Sequence, residues 1–315
     1  MIRFICFLLL LSQTAFSQFA PPAGQPGSTA ISKDTAIIAG WATSCTINRG
    51  LRQINLPDSG YASVGDGAAA IGPAGDNGVV SLGDGGKATL QFAQPISDGE
   101  GFDFCVFENS FQDDFLELAF VEVSSDGIHF VRFPATSLIQ DTLQTASFGL
   151  TDATKIDGLA GKYRVNFGTP FDLELLKDSS AIDIHSITHV RIVDVVGSVD
   201  SDYATFDSYH HKINDPWPTN FPSSGFDLDA VAVLAHWPAS VSEMNDQLKG
   251  PFPNPFSENI SIPSYVSLIE ICDALGRTIP FSNPHSICTS HWQSGVYFFK
   301  IEASGASKVF SLVKE

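Results

Sequence analysis

The chain has 315 residues, a formal charge of -18 and 25 Phe against 2 Met. So acidic a balance excludes a protein that grips nucleic acid through its phosphates, where cations carry the affinity. The 26 Gly and 18 Pro favour short strands and tight turns over helices, and no stretch beyond the N-terminus approaches the roughly 18 apolar residues of a membrane span.

Residues 1–17 are predicted to be a signal peptide. Arg3 supplies the positive start, Phe4 to Leu11 the apolar stretch, and Ala15-Phe16-Ser17 a small-x-small cleavage site, so Gln18 opens the mature chain. Residues 18–32, rich in Pro, Gly and Ala, read as a flexible leader. A cargo domain is expected over 33–238. It contains strand-length apolar runs at Ala88–Phe92, Phe102–Glu108, Phe115–Val123, Ile128–Phe133, Tyr163–Phe167, His189–Val196 and Phe226–Leu234. Runs of that length without a 3.6-residue period predict an all-β sandwich. Val121 to Phe133, broken by Ser124-Ser125-Asp126-Gly127, reads as its clearest hairpin. A linker over 239–250 leads to a C-terminal domain over 251–315.

Acids in this domain suggest where chemistry sits. Asp103, Glu108 and Asn109 lie where a strand runs into a loop, and Asp227 and Asp229 share one face of a strand by period two. Oxygen-rich sets of this kind suit calcium, which takes six to eight oxygen ligands; capping and backbone hydrogen bonding are the structural alternatives. Glu117 falls on a largely apolar face, where a carboxylate needs a cation or an arginine such as Arg132 or Arg191. His210 and His211 stand together in a loop, and Trp217 with Phe221, flanked by prolines, offers an aromatic platform for a flat ligand or a loop anchor. No residue is assigned a catalytic role, since GxSxG, HExxH and GxxxxGK[ST] motifs are all absent from the sequence. Two disulfides, Cys45 with Cys105 and Cys272 with Cys288, are compatible with the domain boundaries, buried free thiols being the alternative.

The last residues carry a family pattern. Pro253-Asn254-Pro255-Phe256, Asp273-Ala274-Leu275-Gly276-Arg277 and Ser294-Gly295-Val296-Tyr297 resemble the type A C-terminal sorting domain of type IX secretion cargo. That resemblance implies a small Ig-like β-domain read by an outer-membrane export machinery, then cut off or exchanged for a surface anchor. The cargo segments Gly78–Phe92, Phe102–Phe111, Phe115–Ser137, Leu159–Tyr163, Gly168–Leu173, Ile213–Thr219 and Gly225–Val231 are similar in order to an uncharacterised family of bacterial cell-surface proteins. It implies a jelly-roll or galactose-binding-like sandwich and, for some members, cobalamin capture beside an outer-membrane receptor. Tyr209-His210-His211-Lys212 departs from the family, where a turn with Gly or Asn is usual.

Together these readings describe a secreted or surface-attached protein that binds a glycan or small cofactor with calcium support. Surface capture of cobalamin, an extracellular polysaccharide hydrolase using Asp227, Asp229, Glu108 and Glu117, and an adhesive surface protein are the alternatives.

Overall fold

Runs of alternating or continuously apolar residues, cut by Gly and Asp turns, assemble into antiparallel sheets in a computed structural model. It describes residues 19–235, 250–263, 266–274, 277–303 and 306–315. The predicted signal peptide and residues 239–249 of the linker lie outside the described residues. The chain divides into two compact units, one ending at His236 and the other beginning at Trp237.

The first unit is an all-β sandwich. Its strands are β1 (Ile31–Ser32), β2 (Ile38–Trp41), β3 (Ser44–Asn48), β4 (Val80–Ser81), β5 (Lys87–Ile96), β6 (Phe104–Glu108), β7 (Ala119–Ser124), β8 (Val131–Arg132), β9 (Thr136–Ser137), β10 (Ile156–Asp157), β11 (Phe167–Phe171), β12 (Ile187–Asp194) and β13 (Asp227–Leu234). One sheet runs β1-β11-β6-β13-β2, with β4 also on β13, and the other runs β3-β5-β12-β7-β8. From β5 to β13 the long strands cross repeatedly between the sheets. The resulting order, β2-β13-β6-β11 against β5-β12-β7-β8, is the double Greek key of a jelly roll.

Between the sheets lies a core that includes Leu90, Phe104, Val106, Val121, Val123, Phe171, Val190, Ile192, Leu228 and Val231. The outer face of the first sheet is covered as well, by Ile31, Ile37, Ile38 and Trp41 packing on Cys105, Phe107, Ala230 and Ala232. This second cover explains why β6 and β13 are apolar on both faces. It also recruits the segment read as a flexible leader. Residues 19–32 run along the domain, with Phe19 N–H donating to the Thr154 carbonyl at 3.1 Å, Ala23 buried, and Ile31 and Ser32 paired with Gly168 and Phe167.

The strands differ from the sequence reading in several places. β2 and β3 precede the first expected run. The run Tyr163–Phe167 is largely a turn, with Asn166 at φ 71°, and the strand follows at Phe167–Phe171 despite Pro170. β1 covers only Phe167 and Gly168, so Pro170 withholds its missing N–H from no ladder on that side. The run Phe115–Val123 enters the sheet only at Ala119. Leu116 and Leu118 instead join a separate core with Ile156, Leu159, Val195 and Ile213. The predicted hairpin does form, pairing Glu122 with Arg132 and Val123 with Val131.

The second unit is a smaller β-sandwich of β14 (Asn259–Ser261) with β16 (Ser286–Cys288) against β15 (Ser267–Asp273), β17 (Gly295–Ala303) and β18 (Ala306–Lys314). Its core contains Ile260, Ile271, Ile287, Phe299, Ile301 and Leu312. Phe256 of the Pro-Asn-Pro-Phe motif is buried at its centre, edge-on to Trp292, Tyr297 and Phe299. In the second motif the Arg277 guanidinium closes a turn on Asp273 at 2.6 Å. Among the described residues no helix is long and apolar enough to cross a membrane.

Candidate functional site

At one end of the jelly roll, the close of β6, the start of β13 and the stretch before β7 meet around a cavity of about 150 Å³. Glu108 ends β6 and Asn109 follows it, Asp227 comes from β13 and Glu117 from the non-strand stretch, while Phe111, Phe115, Phe148 and Phe221 line the sides. β6 stops because Ser110 turns the chain: its N–H donates to Glu108 Oε2 at 2.8 Å and its hydroxyl to the Gln112 carbonyl at 2.9 Å. Glu117 is placed by its neighbours. The Leu118 N–H donates to Asp215 Oδ2 at 3.0 Å. The Glu117 carbonyl lies so close to Gly161, at φ 83°, that a Cβ there would approach it to 1.9 Å, a contact only glycine permits.

The floor of this cavity is acidic and poor in cations. Glu108 is 2% exposed, and burial first, then the fields of Asp227 and Asp229, holds its carboxyl well above the usual range against opposing backbone hydrogen bonds. Burial likewise lifts Asp227 to about 6, against hydrogen bonds from Ser81 and Asn109 and the field of Arg49. Arg49 itself donates to the carbonyls of Val64, Gly65 and Ser81. Glu117 is raised well above its ordinary value by burial and by Glu108, Asp227, Asp215 and Asp194 together. Its side chain has no hydrogen bond or ion pair among the described residues. The two arginines expected to serve it are committed elsewhere: Arg132 Nε and Arg191 Nε reach Glu122 at 2.9 and 2.6 Å.

Behind Glu117 a second group of acids is tied to backbone and indole N–H donors. Asp194 accepts from Phe226 N–H at 2.7 Å and Gly85 N–H at 2.9 Å, Asp215 from Leu118 N–H, and Asp84 from Ile54 N–H at 2.8 Å and Trp217 Nε1 at 2.9 Å. These carboxylates staple loops to strand ends, a use of buried acids in which each takes one or two amide donors. Burial raises all three.

The sides of the cavity are apolar yet exposed. Phe111 is 79% and Phe148 75% exposed, and Phe148 bridges Phe115 and Phe221 at ring separations of 6.5 and 5.8 Å. Ser147, Thr219 and Ser223 supply the few hydroxyls of the lining.

The residues singled out from sequence divide among several places. Glu108, Asn109, Asp227 and Phe221 meet in this cavity. Trp217 does not reach it: 8% exposed and bonded to Asp84, it anchors its loop. Asp229 turns away to accept the Gly75 N–H at 2.9 Å, because a shift in strand register between Leu228 and Ala230 breaks the period of two. Asp103 is at the opposite end of β6, where it accepts from Gly99 N–H at 3.0 Å and Leu173 N–H at 2.5 Å. His210, at φ 66°, and His211 stand on an exposed turn, and His211 Nδ1 lies 3.1 Å from Asp207. Cys45 and Cys105 lie in opposite sheets, and all four cysteines of the described residues are free thiols. Phe115 was read only as the start of a strand run, and Phe111, Ser147 and Phe148 were not singled out as site residues, since a residue in a loop carries no periodic signal.

Comparison with known proteins resolves the other end of the chain. Residues 251–315 match the secretion system C-terminal sorting domain. The protein is therefore exported by type IX secretion, interacts with that machinery through this domain, and is secreted or attached to the cell surface. No curated protein matches the chain.

Proposed function

We propose that the exported chain is a surface or secreted binding protein whose jelly roll takes a small organic cation into the cavity of Glu108, Glu117 and Asp227. The supporting observation is Glu117, a carboxylate without a partner among the described residues, in a cavity that holds two further acids and is walled by phenylalanine. A cation is what such a floor lacks, since a buried carboxylate is costly unless it is paired or protonated. The walls choose the kind of cation. Phenylalanine faces attract ammonium groups and pack on carbon, whereas a glycan would find few hydroxyl and amide partners there. A cavity of about 150 Å³ is smaller than those that enclose drug-sized ligands, so an oligosaccharide or a corrinoid such as cobalamin would cover the mouth rather than enter.

A second reading rests on the same acids. Glycoside hydrolysis uses two carboxyl groups in different protonation states, and Asp227 at about 6 beside the more strongly raised Glu117 offers such a pair. Titrating phenethylammonium into the chain by calorimetry, with phenethyl alcohol as its neutral analogue, tests the first reading. Saturable heat with the ammonium alone, weakened in Glu117→Gln, supports it. Equal binding of both compounds, or of neither, rules it out. Turnover of a polysaccharide that disappears in Asp227→Asn would favour the hydrolase.

A further inference from the structure

At the far end of β6 a different acidic group has the geometry of a metal site. Asp98 lies in the loop after β5, Asp103 ends that loop, and Asp172 follows β11. One carboxylate oxygen from each comes within 4.8 Å of the other two. We infer that Asp98, Asp103 and Asp172 bind a calcium ion that clips the β5–β6 loop to the end of β11.

Three observations support this assignment. The oxygens converge as ligands of one ion do, because calcium at about 2.3–2.6 Å from each oxygen spans up to about 5 Å across its shell. The pocket acids Glu108, Glu117 and Asp227 form no such convergent group among the described residues. The second observation is independent of clustering: Asp98 Oδ1 is buried from solvent and has no hydrogen-bond partner. Buried oxygens are nearly always satisfied, and a cation is the partner that three adjacent carboxylates call for. Lys177 does not fill the role. Its ammonium is bound to Glu174 at 2.5 Å, and Asp98 acts on it more weakly than Glu174 or Asp178.

The third observation is the preparation of the other ligands. The Gly99 and Leu173 N–H groups hold the two oxygens of Asp103, at 3.0 and 2.5 Å, and the Glu174 N–H holds Asp172 Oδ1 at 3.0 Å. An ionised carboxylate has about four acceptor sites, so amide donors and a cation can share one. Asp103 also ties the site to the fold, its N–H donating to the Phe171 carbonyl and its carbonyl accepting from Leu234 N–H at 2.8 Å. An ion here would therefore join the ends of β5, β6, β11 and β13.

Calcium titrated by calorimetry into the chelator-treated full chain tests the site, with thermal unfolding followed in parallel. Wild type should bind calcium saturably, with a dissociation constant of about 10⁻⁴ M, as extracellular modules do. Its melting temperature should rise by about 5 °C near saturation. Asp98→Asn should lose that rise yet melt like wild type in chelator, because Asp98 Oδ1 makes no contact to lose. Glu117→Gln should keep the rise. The assignment is overturned by absence of calcium heat in wild type, by an unchanged response in Asp98→Asn, or by loss of the response in Glu117→Gln in place of Asp98→Asn.

Discussion

Replacing Glu117 by Gln should stabilise this protein, an unusual outcome for a substitution in a half-enclosed position. The carboxyl is raised well above its ordinary 4.5 by burial and four neighbouring acids. Folded protein thus binds a proton that unfolded protein releases, so the penalty is fully present above the raised value and vanishes as pH falls below about 4.5. At pH 7.5 that penalty cannot exceed about 4 kcal/mol, because each pH unit above 4.5 is worth about 1.4 kcal/mol and beyond that protonation is cheaper. The Gln amide keeps the shape but forfeits part of the gain by burying a polar group of its own. A net stabilisation of about 1–3 kcal/mol remains, or roughly 3–10 °C in melting temperature for a domain of this size. Differential scanning fluorimetry of both proteins at pH 7.5 and 4.5 measures it. If the Glu117→Gln variant melts no higher than wild type at pH 7.5, or has an equal advantage at both pH values, the carboxylate has a partner and the cavity floor is not short of positive charge.

Other consequences follow from the same geometry. Asp227, raised to about 6 from 3.8, should add about 2 kcal/mol of stability as pH falls from 7 to 4, visible as a urea midpoint that rises on acidification and rises less in Asp227→Asn. Glu122→Gln should cost about 1–3 kcal/mol in urea denaturation, because it strips the partly exposed Arg132 and Arg191 of the carboxylate they share; a loss below about 0.5 kcal/mol would show the triad to be solvent-screened. Deleting residues 250–315 should leave folded cargo in the periplasm, and normal surface display of that truncation would contradict export through the sorting domain.

Sequence reasoning read strands well where burial was one-sided or complete and failed where tertiary context redirected the chain. The hairpin around Asp126-Gly127 was legible because a turn signal sits between two apolar runs. Glu117 was read from an apolar strand face, yet it lies before β7 among other acids, and its expected arginines went to Glu122 further along the same run, a choice made by register and not by composition. Asp227 and Asp229 looked equivalent at a spacing of two, and one irregularity in β13 sent one into the cavity and the other to Gly75. Asp98 looked like an ordinary Asp-Gly turn, and Asp172 carried no signal at all, since nothing local announces that they meet Asp103.

By itself the sequence determined the class of fold and the destination of the protein. Both depend on local patterns, strand-length apolar runs cut by turns and a short C-terminal signature, that survive reading one segment at a time. Only the tertiary structure decided which acids stand together, which are stapled by backbone amides, and which are left without a partner. Those outcomes depend on residues dozens of positions apart being brought together, such as Glu108 with Asp227, or Asp98 with Asp172, and a carboxylate's chemistry is set by the neighbours that folding brings to it.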